Sequence, residues 1–130
     1  MTGLCFSIAG GAEAVADAEQ ALSAWLTGAG LPEAAAARAA LLLEEVALNA
    51  LRHGGAPRVD IEAQVTAAGI ALVFEDTGAP FDPLAGAAAA PDPDRPGGRG
   101  LLLIRRLSSG ARYARTPDGH NRLELTLNPE

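Results

Sequence analysis

The chain has 130 residues, of which 48% are hydrophobic, 20% charged and only 4% aromatic, a length that supports one modest core and leaves no room for a second. Its 16 acidic residues outnumber 10 basic ones for a formal charge of −6, which argues against a general nucleic-acid or anionic-membrane binder, since phosphate affinity needs a positive footprint. Every basic residue is arginine and none is lysine, so Schiff-base chemistry and lysine-dependent phosphate loops are excluded.

The elements follow from periodicity and punctuation. Leu4, Phe6 and Ile8 alternate with Cys5 and Ser7, the pattern of a strand, and Gly10-Gly11 breaks it. Val15, Ala18, Leu22, Trp25 and Leu26 have helical spacing, predicting a helix over 13–26 that Gly28 and Gly30 end. Pro32 and Glu33 predict the start of a second helix running to about His53, with Gly54-Gly55 as its stop. Val59, Ile61, Ala63 and Val65, then Ile70, Leu72 and Phe74, alternate on either side of Ala68-Gly69 and predict a half-buried hairpin. The stretch 79–98 carries five prolines, three aspartates and an alanine-rich run, and reads as a long loop with a mobile lid at about 84–98. A short apolar helix over 100–107, a strand over 111–115, a Pro117-Asp118-Gly119 turn and an alternating last strand through Leu123, Leu125 and Leu127 complete the chain. Hairpin-joined strands with helices in blocks predict an α+β fold, a two-layer α/β sandwich with a mostly antiparallel sheet and helices on one face, spanning 1–130 as one domain.

One cysteine, Cys5, and two histidines exclude an intramolecular disulfide and a Cys/His zinc site. Arg38, Glu44 and Glu45 interrupt the longest apolar runs, short of the roughly 18 residues of a membrane span, and the expected location is the cytoplasm.

On a helical wheel the second helix places Arg38, Glu45, Asn49 and Arg52 in one narrow polar stripe, with leucine, valine and alanine around the rest. That stripe is either a solvated Glu-Arg ladder or the wall of a polar cavity. Two further boxes bear on the choice. Glu75-Asp76-Thr77-Gly78 sets an acid at a strand end beside a glycine, and Gly97-Gly98-Arg99-Gly100 lies directly before a helix. A carboxylate can accept from an amino group such as that of adenine, glycine-rich amides can meet phosphates, and an asparagine oxygen suits magnesium. Taken singly, the second box is also an ordinary turn and the third an ordinary helix start.

In order, Glu45-x-x-x-Asn49-Ala50-x-x-His53-Gly54, Asp76-x-Gly78-x-Pro80-Phe81-Asp82-Pro83 and Gly97-Gly98-x-Gly100-Leu101 resemble the ATPase superfamily of gyrase, Hsp90, histidine kinases and MutL. The Pro-Phe-Asp-Pro continuation is closer to the anti-sigma-factor serine/threonine kinase branch than to sensor histidine kinases. The resemblance implies ATP and Mg2+ as cofactors, Glu45 as general base, Asn49 as magnesium ligand, Asp76 against the adenine amino group, and Gly78, Gly98, Arg99 and Gly100 around the nucleotide. It further implies a homodimer, an anti-sigma factor antagonist as substrate and a sigma factor or equivalent regulator as the other partner. A non-catalytic ATP-binding partner-switching module of the same fold is the alternative. Arg105 and Arg106 are assigned to either ligand or partner, His53 to the helix dipole, Trp25 to the core, and His120 to no named partner.

Overall fold

The structure, a computed structural model, describes residues 3–84 and 100–130. In chain order its elements are β1 (Gly3–Ile8), α1 (Ala12–Gly28), α2 (Glu33–Leu48) continued by a π-helical turn (Asn49–His53), β2 (Val59–Thr66), β3 (Gly69–Asp76), α3 (Gly100–Leu107), β4 (Gly110–Arg115) and β5 (Asn121–Leu127). The strands form one sheet in the order β1-β2-β3-β5-β4, and every pairing is antiparallel. Period-two patterning sends Ile61 and Ala63, Leu72 and Phe74, and Leu123 and Leu125 to one face, where they are buried. That face is covered by the helices, giving the expected two-layer α+β architecture.

The alanine-rich composition has a structural role in α2. Ala35, Ala36, Ala39 and Ala47 are fully buried there between Leu42 and Leu43 of the same helix and Val15, Leu22 and Leu26 of α1. Small side chains let α2 pack closely against α1, and α2 also touches α3 and β3. The other face of the sheet is polar: Arg112 pairs with Glu124 at 2.9 Å, Arg122 with Glu124 at 3.2 Å and with Glu75 at 3.1 Å, and His120 with Glu75 at 2.8 Å. His120 thus has the partner that its place beside a turn did not disclose.

Local chemistry sets the boundaries. Past the C-terminus of α1, Gly30 at φ +92° closes a Schellman motif, with Leu31 N donating to Leu26 O at 3.1 Å and Gly30 N to Thr27 O at 3.0 Å. Pro32 precedes α2 rather than opening it: its ψ of 150° is extended, and its carbonyl accepts from Ala36 N. The second helical stretch does reach His53, but its last turn widens. Gly54 N donates to Asn49 O at 3.1 Å, an i to i+5 bond. Residues 85–99, which include most of the expected lid, lie outside the described residues.

Candidate functional site

The widened turn is where the site begins. Glu45 in the last α-helical turn and Asn49 at the start of the π-helical turn both line a cleft between α2 and the sheet, together with Asp76 from the end of β3 and Asn121 from the start of β5. The cleft's cavity volume is small, about 40 Å³, and the space widens toward an open mouth. Its walls are apolar, formed by Val46, Ala50, Phe74, Ile104 and Leu123, with the exposed ring of Phe81 among the lining residues. An apolar slot with a few convergent polar groups suits a flat heterocycle with hydrogen-bonding edges.

Two glycine turns form one end of the slot. Ala79 N donates to Gly54 O at 3.0 Å, which joins the end of the π-helical turn to the segment after β3. A Cβ on Gly78 would lie 2.7 Å from Gly54 O and 3.0 Å from Asp76 Oδ1, so only glycine lets these segments meet. Gly78 N donates to Asp76 Oδ1 at 2.8 Å, fixing the carboxylate over its own turn. Asn121 Nδ2 donates to the same oxygen at 3.1 Å. No described residue donates to Asp76 Oδ2, and no fully buried side-chain polar atom lacks a partner among the described residues. Among the described residues, Oδ2 is therefore open as an acceptor.

The residues singled out by the sequence divide into three groups. Glu45, Asn49 and Asp76 converge on the cleft, and Gly78 shapes its end. Gly98 and Arg99 lie outside the described residues; Gly100 opens α3, which carries Ile104 into the cleft wall. The remaining members separate from the site. Arg38 donates to the carbonyls of Asn128 and Glu130, so the polar stripe of α2 is not one functional face: two turns before Glu45 it meets the segment after β5. Arg52, His53, Arg105 and Arg106 are exposed and none lines the cleft, and Trp25 packs half-buried against the core.

Three site residues escaped sequence reasoning. Asn121 is the one polar side chain buried among the described residues, 7% exposed, and Tyr113 and Arg115 of β4 both donate to its Oδ1. The signal was present in the register: Asn121 occupies the inward-facing row of β5 ahead of Leu123, Leu125 and Leu127, where a polar residue needs partners.

The family model described as histidine kinase-like ATPase domain matches residues 8–127. No curated protein matches the sequence. Among solved structures, the RsbU and RsbW domains of a Mycobacterium tuberculosis protein superpose with TM-score 0.71 at 20% identity, covering 98% of this chain and 32% of that one. SiaB and SiaC from Pseudomonas aeruginosa, solved as a complex, give TM-score 0.61 at 19% identity over 94% of this chain and 87% of the matched one. A blue-light activated histidine kinase of Erythrobacter litoralis gives 0.52 at 24% identity, over 75% of this chain and 32% of that one. The chain thus spans about a third of the length of the mycobacterial chain, and at these identities the likeness is one of fold. With a family match over nearly its whole length, laid over a cleft that gathers Glu45, Asn49 and Asp76, the chain belongs to the histidine kinase-like ATPase domain family.

Proposed function

We propose that the chain is an ATP- and Mg2+-dependent protein serine/threonine kinase of the anti-sigma-factor type. It phosphorylates a small anti-sigma factor antagonist, otherwise holds a sigma factor or equivalent regulator, and works as a homodimer. The observation that carries this reading is the convergence of Glu45 and Asn49 on the cleft that also holds Asp76. The motif order, with Pro-Phe-Asp-Pro after the second box, supports the serine/threonine branch. The Pseudomonas aeruginosa structure is of a SiaB–SiaC complex, which supports a protein partner for a domain of this fold.

Each residue has a chemical task in this reading. Asp76 offers Oδ2 to the adenine amino group while the apolar walls take the ring. Asn49 supplies one neutral oxygen toward magnesium. Such an ion keeps several waters and takes its other ligands from phosphates. When bound, magnesium offsets charge on the transferred phosphoryl group. Glu45, one turn before Asn49, accepts the proton of an incoming Ser or Thr hydroxyl.

The test is transfer of labelled phosphate from ATP, with magnesium, to a candidate antagonist. The expected result is label on a Ser or Thr of that protein, abolished in Glu45→Ala with ATP binding retained. Continued labelling by Glu45→Ala would remove the base role, and absence of ATP binding by the unaltered chain would remove the whole reading.

A further inference from the structure

Asn121 is saturated. Its Oδ1 accepts from Phe81 N at 3.2 Å, from Arg115 Nη1 at 3.1 Å and from the Tyr113 hydroxyl. Its Nδ2 donates to Ala79 O at 2.9 Å and Asp76 Oδ1 at 3.1 Å, with Gly78 O at 3.5 Å. A side-chain amide has two faces of opposite character, and a flip would set an NH2 against three donors and an oxygen against a carboxylate. The network therefore tolerates one orientation. Two of the donors that enforce it come from β4, the edge strand whose Tyr113 and Arg115 sit opposite Leu123 and Asn121 in the ladder. Arg115 Nη1 also donates to Gly78 O at 3.0 Å, tying the guanidinium to the glycine turn as well.

We infer that Asn121 is a specificity-determining positioning residue of the purine pocket, held in one amide orientation by Tyr113 and Arg115. It commits Asp76 Oδ1 and leaves Oδ2 to select a base that carries a 6-amino group. The inference rests on the reading of the cleft as an ATP site. A carboxylate free to rotate, or to turn an oxygen toward a neighbouring amide, would present a mixture of geometries to the base. A carboxylate pinned at one oxygen presents one acceptor. Of the two β4 residues, Tyr113 also lines the cleft, whereas Arg115 does not and acts through this relay.

The experiment compares dissociation constants of the full chain for ATP and for purine riboside triphosphate, which lacks the 6-amino group. The unaltered chain is expected to prefer ATP by about 10- to 100-fold, the value of one hydrogen bond to a charged acceptor. In Tyr113→Phe/Arg115→Gln the preference should fall toward unity by loss of ATP affinity, with affinity for the analogue unchanged. Tyr113→Phe alone, which keeps the ring in place, should lose part of it, and serves if the double variant does not fold. Asp76→Asn should also abolish the preference. An unchanged ratio in the β4 variants, or equal weakening toward both ligands, overturns the positioning role while leaving the ATP site standing. Failure of the unaltered chain to bind ATP, or a preference that survives Asp76→Asn, overturns the reading of the site and the inference with it.

Discussion

Gly78 meets the carbonyl of Gly54 so closely that a single methyl group decides whether the cleft can close at that end. An added Cβ would lie 2.7 Å from that oxygen, 3.0 Å from Asp76 Oδ1 and 3.2 Å from the Ala56 side chain, and two of these three neighbours belong to a turn already tied down by Ala79 N. Gly78→Ala should therefore destabilise the fold by about 1–3 kcal/mol, the range for overpacking a tight site, and should also weaken nucleotide binding by displacing the Asp76 carboxylate. Thermal melting with and without ATP checks both. Gly69 provides a comparison remote from the cleft. It sits at φ +128° with Leu127 O only 2.1 Å from a built Cβ, so Gly69→Ala should lower the melting temperature at least as much. Any molecules that remain folded should show the unaltered preference between ATP and its analogue. Read from sequence, a site glycine and a hairpin-turn glycine look alike, and only the neighbouring backbone separates them.

At the scale of elements, α1 and α2 meet through an acidic pair. Burial, then a hydrogen bond and charge repulsion from Glu44 on α2, push the Glu19 carboxyl of α1 up to about 7. A raised carboxyl makes the folded state the better proton binder, so this contribution is most favourable below the ordinary value of 4.5 and is lost as pH rises toward 7. Glu19→Gln keeps a donor for Glu44 without a second charge. It should raise stability at pH 8 on the order of 1 kcal/mol, reduced by solvent screening, and should have little effect at pH 4. Denaturant unfolding of both proteins at the two pH values is the measurement, and an equal effect at both would contradict the shared proton. Glu124 contributes with the opposite sign. Partial burial would raise it, but Arg112 and Arg122 hold it below the usual carboxylate value, so its contribution is present at neutral pH and lost on acidification. Much of this level was legible in the sequence. Strand alternation, glycine stops and helical spacing placed the elements because each is a local signal. The π-helical turn was not legible, because it arises from where Gly54 N finds an acceptor in the folded chain. Asn121, Tyr113 and Arg115 were missed for a related reason: 45 residues separate Asn121 from Asp76, and only the β3–β5 register sets them opposite each other.

For the whole molecule, the cleft lies where five elements meet, with α2 and its π-helical continuation, β3, α3, β4 and β5 each contributing lining residues. A ligand there binds groups that are brought together only in the folded chain, and the unfolded chain offers it no equivalent site. Linkage then fixes the size of the effect: at ATP 100-fold above its dissociation constant, the folded state gains about 2.7 kcal/mol. For a chain of this length each kcal/mol corresponds to a few degrees, so the melting temperature should rise by about 10 °C. The rise should be lost in Asp76→Asn, which removes the acceptor for the base. It should persist in Glu45→Ala, whose carboxylate is assigned to the protein hydroxyl and not to the nucleotide. It should persist too in Glu19→Gln, because that pair lies on the α1–α2 contact and not in the cleft. Melting curves of the four proteins with ATP and magnesium separate the functions of one small core. A rise in all four would place the base elsewhere, and a rise in none would show that the cleft is not the nucleotide site.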